Sequence, residues 1–170
     1  MVGYETHFFF MESKLKNYIE DYLETTDFKL IDFLLRGEKN TKVLEIYLDN
    51  KDSFSIGDLA RINRELWKRV EDSEFANGLS KIVVSSPGVD KPFKYIWQLK
   101  KHKGRTLELK LNNEESLKGV LKEVIEENNP GIVLRVKVNE KKKSLKEELK
   151  TISFNEIKES KVVFLFKNKK

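Results

Sequence analysis

The sequence predicts an α+β protein with two domains: an N-terminal α-β-β-α-β sheet-and-helix domain over residues 1–90, and a small C-terminal SH3-like β-barrel over residues 91–170. Apolar residues recur at helical and strand spacing in the first half, and short alternating strands fill the second. The charge also changes between the halves. Residues 1–92 hold 13 Lys+Arg and 17 Asp+Glu, a net charge of −4, and residues 93–170 hold 20 and 11, a net charge of +9. Such asymmetry is typical of contact with nucleic acid, although lysines that merely solubilise a small domain explain it equally well.

The first predicted domain alternates helices and strands. Its elements are a helix at 11–24, strands at 28–36 and 42–49, a helix from 56 to about 70 and a strand at 80–86. A short polar turn joins the first two strands as an antiparallel hairpin. Ser55 and Asp58 form a capping box before the second helix. The buried stripe of that helix consists of Leu59, Ile62, Leu66 and Val70.

The second predicted domain consists of short strands. One or two helical turns at 95–101 precede strands at 106–111, 117–125, 132–138, 151–154 and 162–166. Strict alternation of apolar and polar residues is typical of half-buried strands. We expect a bulge or bend at Gly119. Five short strands, with a tight turn at 155–157 before the last, predict an SH3-like or Sm-like barrel.

A turn rich in proline and glycine separates the two domains. It consists of Ser85, Ser86, Pro87, Gly88, Val89, Asp90, Lys91 and Pro92. Pro87 fixes its own φ and keeps Ser86 extended. Gly88 is free to take the positive φ that a type II turn needs after proline. We interpret residues 85–92 as a rigid elbow at the domain junction, and refer to them below as the elbow.

The sequence lacks the residue patterns of common enzymes. It contains no cysteine, which excludes disulfides, thiolate metal sites and cysteine nucleophiles and fits a reducing cytoplasm. His7 and His102 have no partners at metal-ligand spacing, and no phosphate-binding loop or hydrolase elbow motif occurs. Asp49 and Asp52 are able to hold a cation, but a solvated turn is the favoured interpretation. We therefore expect no enzymatic activity, no cofactor and no metal.

Membrane and export signals are absent from the sequence. No apolar run approaches the length that spans a bilayer. Residues 1–10 lack the basic start and cleavage site of a signal peptide. These features predict a cytoplasmic protein without membrane contact. Because Met11 begins a cleaner amphipathic pattern, both Met1 and Met11 stay open as the natural start.

Basic residues form three candidate RNA-binding groups. They are a helical stripe of Arg61, Arg64 and Lys68, an elbow group of Lys91, Lys101, Lys103 and Arg105, and a run of Lys141, Lys142 and Lys143. An i,i+4 pair between Arg61 and Glu65 is the alternative for the stripe, and a solvated hairpin tip is the alternative for the run. Tyr95 and Trp97 lie among the elbow group, where aromatic rings are able to stack on unpaired bases. We favour instead that Trp97 and Phe93 anchor the domain junction.

The elbow carries a resemblance to a known family. Its sequence, with Val84 before it, resembles the V-S-S-P-G-[LV]-D-[RK]-P signature of the bacterial ribosome maturation factor family RimP. Supporting stretches agree in order and spacing, at residues 28–32, 44–49, 56–64, 70–72 and 154–157. The sequence departs from the family pattern after residue 72, where Ser73, Glu74 and Phe75 replace D-P-I. The resemblance covers residues 13 to 166.

The resemblance implies a non-enzymatic assembly factor for the small (30S) ribosomal subunit. Its expected partners are 16S-type ribosomal RNA and a basic small-subunit protein near the decoding centre. No catalytic residues carry over. The elbow residues carry over as a family signature, and we read them mainly as fixing the angle between domains. The charge split fits this role, because the acidic half suits a cationic protein and the basic half suits RNA.

A free-standing Sm-like RNA-binding module or RNA chaperone is the alternative function. It requires barrel edges that assemble into a ring, whereas an assembly factor of the first kind is expected to be a monomer. The N-terminal domain and the absence of an Sm-type pattern argue against this alternative. The mass in solution separates the two, because a ring is a hexamer or heptamer.

Overall fold

The computed structural model describes residues 2–37, 42–76, 79–88, 91–140 and 144–163. The chain divides into two compact units, Met1–Pro87 and Gly88–Lys170. The division lies inside the elbow. The molecule is an α+β protein in which each unit has its own sheet and its own hydrophobic core.

The first unit has the predicted order of elements. These are α1 (Val2–Leu23), β1 (Lys29–Arg36), β2 (Lys42–Asp49), α2 (Ile56–Glu71) and β3 (Leu79–Ser85). The strand order is β1-β2-β3, with β1 antiparallel and β3 parallel to β2. Helix α2 supplies the crossover that a parallel pair requires. The predicted hairpin is confirmed, whereas α1 begins at Val2 and not at residue 11.

The core of the first unit lies between the two helices and one face of the sheet. Leu44, Ile46 and Leu48 of β2 are fully buried, as their alternation predicted. The α2 stripe is also confirmed, and Ile62 and Leu66 at its centre are fully buried. Burial of each such side chain contributes about 1.5–3 kcal/mol. The sequence pattern therefore fixes which face of each element packs inward.

The start of α2 has the capping box that its sequence predicted. Ser55 Oγ accepts the backbone N–H of Asp58 at 3.2 Å, and Asp58 Oδ2 accepts the backbone N–H of Ser55 at 2.8 Å. Hydrogen bonds from the backbone and then the hydroxyl of Ser55 hold the pKa of the Asp58 carboxyl below its usual value. The capping box satisfies donors that the first helical turn leaves without partners.

The second unit is an antiparallel sheet entered through a 3₁₀ helix. Its elements are a first 3₁₀ helix (Ile96–His102), β4 (Thr106–Leu111), β5 (Ser116–Ile125), β6 (Gly131–Glu140), β7 (Ser144–Ser153), a second 3₁₀ helix (Phe154–Glu156) and β8 (Ile157–Val163). The strand order is β7-β6-β5-β4-β8. The predicted tight turn before the last strand is the second 3₁₀ helix. Strand β7 begins well before residue 151, and β8 begins at Ile157 and not at residue 162.

The five-stranded sheet ends in two edges, β7 and β8. Its described strands are therefore not closed into a barrel, and the SH3-like closure predicted from the sequence is not confirmed. The core of this unit nevertheless lies on one face of the sheet. Fully buried residues from different strands and from the first 3₁₀ helix meet there, among them Leu99, Leu107, Leu121, Ile132 and Leu134.

Gly119 allows two strands to approach closely. A Cβ at this position would lie 2.7 Å from the carbonyl oxygen of Arg135 and 2.9 Å from Cγ1 of Val136. The irregularity in the β5–β6 pairing lies between Leu121 and Glu123. The bulge predicted at Gly119 was therefore misplaced, because the glycine serves close packing and the extra residue, at position 122, is inserted three positions later.

Candidate functional site

The first half of the elbow continues β3 along a groove beside α2. Ser85 is the last residue of β3 and is half-buried, whereas Ser86 is exposed. A cavity of about 450 Å³ lies here. Its lining residues are Ile56, Leu59, Ala60, Asn63 and Arg64 of α2, with Val84, Ser85 and Ser86. We call this the α2–β3 groove. It brings Arg64 and the elbow serines together, although they are far apart in sequence.

A side-chain hydrogen bond joins the two walls of the α2–β3 groove. Asn63 Nδ2 donates to the backbone oxygen of Ile82 at 3.1 Å. Sequence reasoning did not single out Asn63. The available signal was a polar residue directly after the buried Ile62 on a helix whose other polar residues are mostly charged.

The second half of the elbow is described in part. Gly88 has φ +64°, so the positive φ predicted after Pro87 is present. A Cβ there would meet nothing within 4 Å, so the backbone conformation alone favours glycine. Pro92 is exposed. Asp90, the remaining signature residue, lies outside the described residues.

The three residues of the basic stripe of α2 differ in their contacts. Arg61 forms an ion pair with Glu65 (3.5 Å), which is the i,i+4 alternative that its spacing indicated. Glu65 also accepts the hydroxyl of Tyr22 at 2.6 Å. Burial, then the hydrogen bond and the charge of Glu65, raise the pKa of Tyr22 to about 12. Arg64 and Lys68 are exposed and make no ion pair among the described residues.

The aromatic residues beside the elbow pack on one another. The rings of Tyr95 and Trp97 are stacked, with centroids 5.5 Å apart and planes 11° from parallel. Lys101 Nζ lies 5.7 Å from the centroid of the Trp97 ring. Trp97 is 8 % exposed, and the two ring contacts described for it, with Tyr95 and Lys101, are to residues of its own unit. Phe93 packs against the core of the same unit.

A buried glutamine orders the entry to the first 3₁₀ helix. Gln98 is 2 % exposed, and its Oε1 accepts the backbone N–H groups of Lys94 at 2.8 Å and Tyr95 at 3.0 Å. The sequence analysis missed this residue. These bonds position the segment that carries Lys94, Tyr95 and Trp97. Gln98 therefore holds in place the two aromatic residues that lie among the elbow group.

Many cations of the second unit are already paired with carboxylates. The pairs within its described residues are Lys100–Glu126, Lys110–Glu114, Lys118–Glu108, Arg135–Glu147, Lys150–Glu115 and Lys158–Glu114. Lys103 and Arg105, in contrast, are exposed and make no ion pair in that part of the chain. Lys91 is half-buried. Lys141, Lys142 and Lys143 lie outside the described residues.

The described residues contain no cluster of three or more His, Asp or Glu side chains placed to hold a metal ion. Asp49 is buried at the end of β2, and its Oδ1 accepts the backbone N–H of Asn50 at 2.9 Å, whereas Asp52 is exposed. In the same part of the chain, neither long helix is apolar enough over its length to cross a membrane.

The molecule is an α+β protein of two units, and the elbow joins them along the chain. Residues 18–90 match the family described as the RimP N-terminal domain. Over 166 residues the chain is 29 % identical to the ribosome maturation factor RimP of Cytophaga hutchinsonii, covering 92 % of this chain and 98 % of that protein. These two matches confirm the resemblance to the RimP family that the elbow motif indicated.

Proposed function

We propose that this chain is a cytoplasmic, non-enzymatic maturation factor for the small ribosomal subunit. The observation that carries the proposal is the match to a ribosome maturation factor along nearly the whole of both chains. The elbow supports it, because the signature residues Ser85, Ser86, Pro87 and Gly88 stand in the order that the family resemblance requires. The absence of cysteine from the sequence fits a reducing compartment.

The proposed partners follow from the charge of the two halves. The C-terminal half, with a net charge of +9, would approach 16S-type ribosomal RNA, and the N-terminal half, with −4, would receive a basic small-subunit protein near the decoding centre. Lys103 and Arg105 are the best supported RNA contacts of the elbow group, because they are exposed and make no ion pair among the described residues. Arg64 and Lys68 are the corresponding candidates on α2.

An SH3-like arrangement is the proposed fold of the second half, from residue 91 onward. Strands β4 to β7 form a meander, and β8 returns beside β4. The second 3₁₀ helix makes the connection from β7 to β8. A closed barrel would add pairing between the ends of β7 and β8. We propose that the elbow fixes how this half is joined to the first.

Co-sedimentation with ribosomal subunits tests the proposed function. The purified chain should migrate with small subunits and not with large ones, and binding should weaken at raised salt because counterions are released. Lys103→Gln and Arg105→Gln should each reduce the steepness of the slope of log affinity against log salt concentration by about 1. Lys110→Gln is the matched control, since Lys110 is already paired with Glu114. Binding that ignores salt would contradict the RNA contacts.

The mass in solution separates this proposal from the Sm-like alternative. A maturation factor that docks on one subunit should be a monomer of about 20.0 kDa. A hexamer or heptamer would favour the free-standing RNA-binding module. Sedimentation equilibrium over a wide range of protein concentration distinguishes these masses without reference to any partner.

A further inference from the structure

The α2–β3 groove contains main-chain groups that the proposed ribosomal contacts do not use. Strand β3 is an edge strand in the order β1-β2-β3, so alternate residues direct their N–H and C=O groups away from β2. The hydrogen bond from Asn63 to the Ile82 oxygen marks Ile82 as one of these residues. Val84 and Ser86 face the same way, because a strand repeats every two residues.

The backbone stays extended to the end of the groove. Pro87 disfavours a helical conformation at Ser86, so the edge continues one residue beyond β3. Val84 and Ser86 therefore offer two N–H and two C=O groups to an incoming chain. The bond from Asn63 occupies the next outward carbonyl, at Ile82, so main-chain pairing with a guest ends before that residue. A short extended segment fits this edge as a fourth strand.

The α2 wall adds one apolar and one cationic contact. Ile56 is 88 % exposed, which is unusual for a large apolar side chain, and the exposed Ala60 lies one helical turn further along the same face of α2. Arg64 is the charged residue among those that line the groove, and it makes no ion pair with any described residue. The groove is therefore complementary to an apolar side chain followed by a carboxylate.

We propose that the α2–β3 groove binds the free carboxyl end of an extended peptide, with its terminal carboxylate on Arg64. Helix α2 runs from Ile56, beside Ser86, to Asn63, beside Ile82. The carboxyl end of the guest thus points towards Ile82, and the guest pairs antiparallel to β3. Because the Ile82 oxygen is already bonded to Asn63, a chain that ends there loses less main-chain pairing than one that continues along β3.

The spacing of the two contacts predicts the sequence of the guest. Ala60 and Arg64 are four residues apart on one face of α2, which is about 6 Å along a helix. Two residues of a strand span about 6.6 Å. The apolar side chain over Ala60 and beside Ile56 therefore belongs to the residue two positions before the carboxyl end. The apolar side chain and the carboxylate determine which peptides bind, and main-chain pairing supplies the remaining affinity.

Selection from a display library of random peptides with free carboxyl ends, against the full chain, tests the groove. Enriched peptides should carry an apolar residue two positions before the end. Synthesised as the free acid, such a peptide should bind at least tenfold more tightly than its C-terminal amide. Arg64→Gln and Ala60→Trp, which removes the cation and fills the groove, should each weaken binding at least tenfold. Lys81→Gln removes a cation from β3 outside the groove and is the matched control.

The outcomes separate this site from the proposed RNA contacts. Ala60→Trp leaves the net charge unchanged, so it should abolish peptide binding without altering salt-dependent subunit binding. Circular dichroism verifies that the variant is folded. The proposal is overturned if no peptide is enriched, if the amide binds as well as the acid, or if Ala60→Trp has no effect. Arg64→Gln that keeps full peptide binding while it loses subunit binding would assign Arg64 to RNA alone and would equally overturn the proposal.

Discussion

Gly119→Ala is expected to destabilise the second unit by about 2 kcal/mol, within the range for overpacking. The new Cβ would lie 2.7 Å from the carbonyl oxygen of Arg135, closer than a carbon can approach an oxygen without displacement. Gly119 is paired with Val136 in the β5–β6 ladder, so the obstacle is the backbone of the neighbouring strand. That backbone is unable to move without breaking the ladder. The methyl group would ordinarily favour a strand, which makes a loss of stability the diagnostic result.

Urea unfolding followed by tryptophan fluorescence measures this loss. Trp67 belongs to the first unit and Trp97 to the second, so a Trp67→Phe background reports on the second unit alone. With a slope of about 2 kcal/mol per M, the midpoint should fall by about 1 M. Ser116→Ala, at an exposed position of the same strand, should leave the midpoint unchanged. If Gly119→Ala behaves like this control, the close approach of β5 and β6 is refuted.

Three further changes probe the cap of α2, the buried Tyr22 and the first 3₁₀ helix. Ser55→Ala removes the helix cap and should lower the unfolding free energy by about 1 kcal/mol in urea. The pKa of Tyr22 is raised to about 12 by burial and by Glu65, so the folded state holds its proton more tightly. Stability should therefore fall as the pH rises from about 10 towards 12, and Tyr22→Phe should remove that fall. Gln98→Leu leaves the N–H of Tyr95 without its acceptor and should cost about 1–3 kcal/mol, visible in the urea midpoint.

Each of these predictions has a result that contradicts it. Ser53→Ala, in the exposed loop before α2, is the control for the cap, and equal effects at residues 53 and 55 would count against the capping box. A pH dependence that persists in Tyr22→Phe would assign it to another group. An unchanged midpoint for Gln98→Leu would show that its two backbone hydrogen bonds do not stabilise the 3₁₀ helix.

Local chemistry made the first unit predictable. The capping box and buried stripe of α2 lie within one continuous segment, so spacing alone located them. Strand β2 alternates clearly because one face is buried, and β1 was located by its run of Phe, Leu and Ile residues. Helix α1 begins at Val2. Its N-terminal residues, including Phe8 to Phe10, belong to the helix but have no clear amphipathic pattern in the sequence. Periodicity therefore located the helix but not its start.

The sequence pattern located the two edge strands of the second unit, β7 and β8, only in part. Strand β7 runs through exposed Lys and Glu residues, and Leu149 on it is 67 % exposed. Its pairing with β6 relies on backbone hydrogen bonds and leaves little apolar alternation to detect. In β8 the buried positions are Ser160 and Val162, and because the first of them is polar, the inward face was not recognised before Val162. Charged edge strands are common because they discourage pairing with other chains.

The α2–β3 groove depends on contacts that no local pattern encodes. Arg64 and Ser85 are joined by the parallel crossover from β2 through α2 to β3, and spacing in the sequence does not reveal that proximity. The basic groups were found by composition, but composition does not show which cations are paired. Spacing offered the ion pair between Arg61 and Glu65 as one of two alternatives, and the structure was needed to decide between them.

The ribosome profile of cells that lack this protein tests the proposed function most directly. Loss of a small-subunit maturation factor should deplete mature small subunits, leave free large subunits in excess and accumulate small-subunit RNA with unprocessed ends. The wild-type chain should restore the profile, and the Lys103→Gln, Arg105→Gln double variant should restore it only in part. A normal ratio of small to large subunits, with fully processed RNA, would contradict the assignment.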